Sequence, residues 1–216
     1  MQIIGITGGI GSGKSTLARA LAARGYAVYD CDKEAKRIIV ENAEVRKAII
    51  GLLGTEAFTA SPEHPFTGVY NTAYVAERVF AEPELLTRLN AIVHPAVKAD
   101  ILQRSGLTAK RSYSKAVLQA QPVLFIESAI LYEAGLDEIC DKIIVVEAPE
   151  EVRIERTIQR DYHGEASDDN INKVRARIHA QEARRFQPSD ISCQLVVQND
   201  GKASIDELVA KILQNL

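Results

Sequence analysis

The chain has 216 residues, of which 46% are hydrophobic and 25% are charged, and its formal net charge is −3. This balance is typical of a folded globular domain and excludes a disordered chain, while the slight acidity argues against the broad basic surface of a general nucleic-acid binder. Charged residues interrupt every apolar run well before the roughly 20 residues of a membrane span, and no secretory signal is visible.

Five short apolar runs predict buried strands, and longer helical patterns separate them. Continuous rather than alternating apolar runs are typical of parallel strands that are covered on both faces. The alternation of strands and helices predicts a three-layer α/β fold around a five-stranded parallel sheet. The predicted strands are Ile3–Ile6, Ala27–Tyr29, Val123–Ile126, Lys142–Val146 and Leu195–Val197. Helices are predicted over Lys14–Arg24, Glu150–Asp161, Asn170–Arg185 and Ser204–Leu213, and Ser204 with Glu207 forms a capping-box pattern.

A glycine-rich motif follows the first strand. Gly8–Ser15 reads GGIGSGKS, which fits G-x-x-x-x-G-K-[ST] between a buried strand and an amphipathic helix. Glycines let successive N–H groups turn towards phosphate oxygens, and the helix that follows adds its positive N-terminal dipole. Lys14 supplies a point charge to the β- and γ-phosphates, and Ser15 supplies a hydroxyl ligand for Mg²⁺. The motif therefore predicts a nucleoside triphosphate site, although switches, motor ATPases and small-molecule kinases share it.

Two acids, Asp30 and Asp32, follow the second strand. They stand where ligands collect in open parallel sheets, outside the carboxyl ends of the strands. One of them could accept the proton of an attacking hydroxyl or hold metal-bound water. Because aspartate is a favoured N-cap, either could equally cap the next helix.

Two segments exceed a minimal strand-and-helix unit. Roughly ninety mostly helical residues separate the second and third strands, about three times a normal crossover, and predict an inserted helical subdomain whose Ser61–Pro65 stretch is a loop. The charged helix-loop-helix pattern from Glu150 to Pro188 predicts a mobile flap. We predict a nucleotide-binding core of residues 1–34, 100–149 and 188–216, an insertion of residues 35–99 and a lid of residues 150–187.

These residues together resemble the dephospho-coenzyme A kinase family. The resemblance rests on TGGIGSGKS at Thr7–Ser15, on Asp30 and Asp32, and on a His-Pro segment at His94. It continues through RTIQRD at Arg156–Asp161 and the late Asn199. It implies a P-loop kinase fold with a helical substrate-binding insertion and a helical lid. It also implies transfer of the γ-phosphoryl group of ATP, with Mg²⁺, to the 3′-hydroxyl of the ribose of dephospho-coenzyme A.

The resemblance also assigns site residues. Asp32 would be the general base, and Asp32 and His94 would contact the acceptor. The alternative for His94 is a purely structural role as a helix-end residue packed by Pro95. Lys14 and Arg156 would complete the catalytic set. Ser15 would bind Mg²⁺, with Asp30 or Glu127 as a further candidate ligand. The predicted ATP-binding residues are Gly9, Ile10, Gly11, Ser12, Gly13, Lys14, Ser15 and Thr16.

Arg153, Arg156 and Arg160 recur at spacings of three and four residues, which places them on one stripe of a helix. Such a stripe is often only a solvated face, here with Glu151 and Glu155 as possible partners, but a kinase also needs cations at the transferring phosphoryl group.

Partners and location follow from composition and from the absence of targeting patterns. Three scattered cysteines, Cys31, Cys140 and Cys193, fit neither a disulfide framework nor a thiolate zinc site. We expect a cytoplasmic protein that acts on ATP and dephospho-coenzyme A, without nucleic-acid or membrane partners, as a monomer or a weak homo-oligomer.

Overall fold

The chain folds as two units in a computed structural model that describes residues 1–61, 64–106, 123–184 and 194–216. One unit comprises Met1–Tyr29 and Ser112–Leu216, and the other comprises Asp30–Arg111. The finer predicted division into core, insertion and lid stays a prediction.

Seven strands and eight α-helices make up these ranges. The strands are β1 Gln2–Gly8, β2 Ala27–Asp30, β3 Phe58–Ser61, β4 His64–Tyr70, β5 Val123–Glu127, β6 Lys142–Glu147 and β7 Gln194–Gln198. The helices are α1 Lys14–Ala23, α2 Cys31–Glu41, α3 Ala43–Leu53, α4 Thr72–Ala81, α5 Pro83–Ser105, α6 Glu150–Asp161, α7 Asp168–Arg184 and α8 Ile205–Gln214. None of the helices in the described ranges is long and apolar enough to cross a membrane.

The predicted five-stranded parallel sheet is confirmed, with the order β2-β5-β1-β6-β7. The central strand β1 pairs in parallel with β5 on one side and with β6 on the other. Its Ile3, Ile4 and Ile6 are completely buried, as the continuous apolar run predicts for a strand covered on both faces.

Helices α1 and α8 pack on this sheet through their apolar faces. Leu17 and Leu21 of α1 and Val209 of α8 join Ile4, Phe125 and Ile144 in one buried cluster. The predicted capping box is confirmed, since Ser204 and Glu207 exchange hydrogen bonds at the start of α8. The core therefore lies directly beneath the loop that joins β1 to α1.

The charged segment after β6 forms a helical hairpin, α6 and α7, which confirms the helix-loop-helix prediction. A small cluster of Ile154, Ile158, Val174 and Ile178 holds the two helices together. The partly buried side chain of Ile10, from the loop after β1, packs against the same cluster.

The unit Asp30–Arg111 contains α2 to α5 and also an antiparallel hairpin, β3–β4. The prediction that Ser61–Pro65 is a loop is wrong for Ser61, His64 and Pro65, which lie in strands. Proline is tolerated here because both strands of a two-stranded sheet are edges, where a missing N–H costs little. The rings of the opposite residues Phe58 and Tyr70 are in contact in a tilted arrangement, with centroids 5.5 Å apart and an interplanar angle of 57°.

Candidate active site

The loop between β1 and α1 has the backbone shape of an anion cradle. Gly11 and Gly13 have φ angles of +74° and +92°, a region that glycine enters without strain, and Gly13 is the N-cap of α1. Alternation of right- and left-handed residues turns successive N–H groups towards one side of a loop. The sequence prediction of a phosphate loop thus has the backbone geometry that it requires.

Several backbone N–H groups of the loop are available to bind an anion. Ser12 and Thr16 donate to the carbonyl oxygens of Gly9 and Gly13, at 3.1 Å in each case. Within the ranges that the structure describes, the N–H groups of Gly11, Gly13, Lys14 and Ser15 have no hydrogen-bond partner. These donors are the ones that the dipole of α1 makes most favourable for an anion.

Glu127 brings a carboxylate to the same place. Its Oε1 accepts a hydrogen bond from Ser15 Oγ at 3.2 Å and lies 3.6 Å from Lys14 Nζ. The side chains of Lys14 and Glu127 are only 15% and 8% exposed, so this is not a solvated surface pair. Turns rather than a helix follow β5, so Glu127 does not cap a helix.

The Ser15 hydroxyl and the Glu127 carboxylate are two oxygen donors of the kind that Mg²⁺ prefers. No group of three or more His, Cys, Asp or Glu side chains with metal-binding geometry occurs in the part of the chain that the structure describes. The pair therefore fits a cation that takes its other ligands from water and from phosphate oxygens, as Mg²⁺ does in phosphoryl-transfer sites.

Asn199 and Arg156 support the loop at Ser12. Asn199 Nδ2 donates to the Ser12 carbonyl oxygen at 2.8 Å, and Arg156 Nη1 approaches the same oxygen at 3.4 Å. Arg156 also donates to the backbone and side-chain oxygens of Asn199, at 3.0 and 3.2 Å. Asn199 follows β7 and is almost fully buried. Its sequence signal was its place in the family resemblance, but no role was predicted for it.

Arg153 holds the loop one helical turn earlier. Its Nε donates to the Ile10 carbonyl oxygen at 2.8 Å, and its Nη1 pairs with Glu182 of α7. Gln181, the residue before Glu182, accepts the Ile10 N–H at 2.7 Å. Sequence reasoning noted Arg153 only as part of a stripe and missed Gln181, because contacts over such distances along the chain leave no local pattern.

The arginine stripe is therefore divided in its function. Arg153 and Arg156 contact the loop, whereas Arg160 pairs with Asp161, which also binds Arg177. The hydrogen bond from Arg160 lowers the pKa of Asp161 to about 2, and Arg177 acts in the same direction. The acids that pair with Arg153 and Arg160 are Glu182 and Asp161, so the possible pairing of these two arginines with Glu151 and Glu155 is wrong.

A cavity of about 460 Å³ adjoins the loop beside Arg153. Two buried polar atoms in the described ranges have no hydrogen-bond partner, Ser12 Oγ and Arg153 Nη2, and both residues line this cavity. The other lining residues are Gly9, Val146, Glu147, Ala148, Pro149, Glu182 and Gln198.

The acids after β2 have different local roles. Asp30 is the N-cap of α2, and its Oδ1 accepts the Lys33 N–H at 2.9 Å. Asp32 lies in the first turn of α2 with an exposed side chain and is not the cap. The capping alternative is therefore confirmed for Asp30. Cys31, between them, is buried.

His94 lies in the middle of the 23-residue helix α5 with a half-buried side chain. The alternative that it is a helix-end residue is wrong, because α5 continues through Pro95 for ten further residues to Ser105. Proline inside a helix removes one backbone donor, and the surrounding packing of Val93 and Val97 keeps the helix together.

Comparison with known proteins agrees with the site. The family model described as CoaE, dephospho-CoA kinase, matches residues 2–204. The chain is 40% identical over 181 residues to the dephospho-CoA kinase of Salinibacter ruber, which covers 84% of this chain and 81% of that protein. It is 32% identical over 217 residues to the dephospho-CoA kinase of Bacteroides fragilis, covering 99% and 94%.

The fold is similar to that of solved structures as well. The crystal structure of TT1252 from Thermus thermophilus matches with a TM-score of 0.67 and 31% identity, over 99% of this chain and 94% of that one.

Proposed function

The chain belongs to the dephospho-CoA kinase family, and we propose how its residues divide the work of the reaction. The enzyme is an ATP-dependent kinase that transfers the γ-phosphoryl group of ATP to the 3′-hydroxyl of the ribose of dephospho-coenzyme A. The products are coenzyme A and ADP. The observation that carries the assignment of roles is the cluster of Lys14, Ser15 and Glu127 at the start of α1.

Lys14 and the N–H groups of the loop bind the phosphates of ATP. In this proposal Gly9–Thr16 surrounds the triphosphate, and Lys14 neutralises charge on its β- and γ-phosphoryl oxygens. Ser15 holds Mg²⁺ through its hydroxyl, and Glu127 holds it directly or through bound water. When bound, Mg²⁺ would supply charge neutralisation at the phosphoryl oxygens.

Asp32 orients the acceptor hydroxyl and takes its proton. What supports this role is its exposed carboxylate two residues after β2, a strand that neighbours β5 in the sheet. Asp30 is less suited to it, because its carboxylate is engaged as the cap of α2. His94 contacts the acceptor in this proposal, supported by the family resemblance and by its incomplete burial.

The helical hairpin α6–α7 acts as the lid of the proposed enzyme. Closure over the reactants would exclude water, which would otherwise accept the phosphoryl group. The lid proposal predicts that residues 150–187 resist protease when ATP and dephospho-coenzyme A are both present. Unchanged cleavage under those conditions would remove it.

We further propose that the enzyme is cytoplasmic and monomeric or weakly associating. Cys31 and Cys140 are present as thiols, as in proteins of reducing compartments. Sedimentation at micromolar concentration would measure the association state directly.

The experiment that tests the proposal measures ADP production from ATP and Mg²⁺ with and without dephospho-coenzyme A. The parent enzyme should produce ADP only with the acceptor. Asp32→Asn should lower kcat by ~10²–10⁴-fold, the range for a lost general base, with ATP binding nearly unchanged. Asp30→Asn is the matched control, because asparagine caps a helix as well as aspartate does. Parent-like turnover by Asp32→Asn would reject the role of Asp32.

A further inference from the structure

Ile10 contacts the helical hairpin α6–α7 through its carbonyl, its N–H and its side chain. Its carbonyl oxygen accepts from Arg153, its N–H donates to Gln181, and its side chain packs on the apolar cluster between the two helices. The carbonyl, the N–H and the side chain of this one residue of the phosphate loop are thus all directed at the hairpin. Such contacts fix the orientation of the peptide planes on either side of Ile10.

A trans peptide unit points its carbonyl and its N–H in opposite directions, and the described chain has no cis peptide. The carbonyl of Ile10 shares its plane with the N–H of Gly11. Because Arg153 holds that carbonyl at 2.8 Å, the N–H of Gly11 is turned away from Arg153, and it has no partner in the described ranges. The carbonyl of Ser12 shares its plane with the N–H of Gly13. Asn199 donates to that carbonyl at 2.8 Å, and Arg156 makes a longer contact with it at 3.4 Å.

We propose that Arg153 and Arg156 are positioning residues that act from behind the phosphate loop. Each holds the carbonyl of an alternate peptide unit, at Ile10 and Ser12, and thereby turns the N–H groups of Gly11 and Gly13 towards the phosphates of ATP. Their spacing of three residues on α6 matches the alternation of the loop. The inference rests on the proposed function of this loop as the ATP site.

The packing around Arg153 shows how closely the loop and α6 approach one another. A methyl group at Gly9 would lie 2.5 Å from Arg153 Nη2, and one at Gly11 would collide with the carbonyl oxygen of Arg153. Arg153 is 8% exposed, and a guanidinium is costly to bury unless its charge is paired. Glu182 of α7 supplies that pairing, so the position of α7 is linked to the loop through Arg153.

The test is equilibrium binding of ATP, and of inorganic tripolyphosphate as a probe without a base, to Arg153→Met. Methionine keeps the length of the side chain and removes every donor. The loss of a charge-assisted hydrogen bond predicts dissociation constants for both probes that are higher by about 10- to 100-fold. Arg153→Lys, which can still donate to the Ile10 carbonyl, should recover part of the affinity.

Arg175→Met is the matched control. Arg175 also joins α6 to α7, through Glu150, but it contacts no residue of the loop. A merely structural role for Arg153 predicts that both variants lose thermal stability and keep the ATP affinity of the parent in the folded fraction. ATP affinity of Arg153→Met within twofold of the parent, or an equal loss in Arg175→Met, would overturn the proposal.

Two further variants keep the outcomes distinct. If Arg153→Met does not fold, Arg156→Met tests the same mechanism at Ser12 and must also weaken both probes. Lys14→Ala separates this inference from the proposed function, because it removes a phosphate contact without touching either arginine. If Lys14→Ala leaves ATP affinity unchanged, the loop is not the ATP site and both proposals fail. A loss in Lys14→Ala alone rejects only the positioning role.

Discussion

The side-chain amide of Asn199 donates a hydrogen bond of 2.8 Å to the carbonyl oxygen of Ser12, a residue 187 positions earlier. The bond joins the end of β7 to the phosphate loop. A methyl group at Gly13 would collide with the same amide nitrogen, so the loop at this point accommodates only glycine. The main-chain N–H of Asn199 is itself held by the Glu147 carbonyl at 2.7 Å. The loop is thus supported by a residue that is fixed to the sheet.

Asn199→Ala should therefore impair the binding of ATP and leave the binding of the acceptor unchanged. It leaves the buried Ser12 carbonyl with only the longer contact to Arg156, which predicts a KM for ATP higher by roughly tenfold. Steady-state kinetics with each substrate varied in turn would measure this. Asn215→Ala is the control, because the Asn215 amide makes a similar bond, to Lys211, on the surface of α8. A KM for ATP that is equal in the two variants would contradict the role of Asn199.

Glu127→Gln should raise the Mg²⁺ concentration that gives half-maximal activity. The substitution keeps the shape and the hydrogen bond from Ser15 but removes the negative charge that would attract the cation. We expect an increase of about tenfold, with a smaller change in kcat at saturating Mg²⁺, because a lost charge–charge contact in a buried site is worth about 1.4 kcal/mol or more.

The measurement is a Mg²⁺ titration of initial rates at fixed total ATP. Glu147→Gln, at the end of β6 on the other side of β1, is the matched control, since the Glu147 carboxylate accepts a hydrogen bond from Gln198 and does not contact Lys14 or Ser15. An unchanged Mg²⁺ requirement in Glu127→Gln would remove Glu127 from the proposed metal site.

Asp30→Ala should destabilise the enzyme through α2. The Asp30 carboxylate caps this helix at Lys33, and loss of such a cap costs about 1 kcal/mol of the free energy of unfolding. Asp30→Asn should restore most of it. Urea unfolding of the two variants and the parent, followed by circular dichroism, makes the comparison. A stability of Asp30→Ala equal to that of the parent would mean that solvent replaces the cap without cost.

The ion pairs of Asp161 should make stability depend on pH in the acid range. Arg160 and Arg177 lower the pKa of Asp161 in the folded state to about 2, below the value of about 3.9 in an unfolded chain. A lowered folded-state pKa contributes stability that is fully present above pH 4 and is lost as the pH falls towards 2. Asp161→Asn lacks this contribution at every pH.

The difference in unfolding free energy between the parent and Asp161→Asn should therefore be constant above pH 4 and shrink below it. Its size should be about 1 kcal/mol, since the side chains are partly exposed and solvent screens them. Unfolding by urea at pH values from 2.5 to 6 would measure it. A difference that grows as the pH falls would have the wrong sign for this mechanism.

Much of the fold could be predicted because short local sequence patterns determine it. The run Ile3–Ile6 and the glycines after it specify a buried strand and a phosphate loop within a few residues, and the structure lengthens that strand only to Gln2–Gly8. The hairpin β3–β4 was missed for a local reason too. Pro65 is typical of a loop, and pairing between the two strands overrides that preference.

The supports of the site could not be predicted in the same way. Arg153, Gln181 and Asn199 reach the loop from elements far along the chain, and each is a common polar residue in an ordinary local setting. The spacing of the arginines indicated a shared helix face but not what that face meets. For Asp30 and Asp32 the sequence allowed two roles, and only the backbone dihedrals at Asp30 decide which one is the cap.

The strand order also has a consequence for how the chain folds during synthesis. β1 is made before both of its partners, β5 and β6, which emerge from the ribosome only after the whole Asp30–Arg111 unit. That unit has its own helices and hairpin, and it can begin to fold while β1 is still unpaired. The amide of Asn199 arrives later still, because Asn199 follows β7. The phosphate loop directly follows β1, but it gains its full support only after β7 and Asn199 have been made.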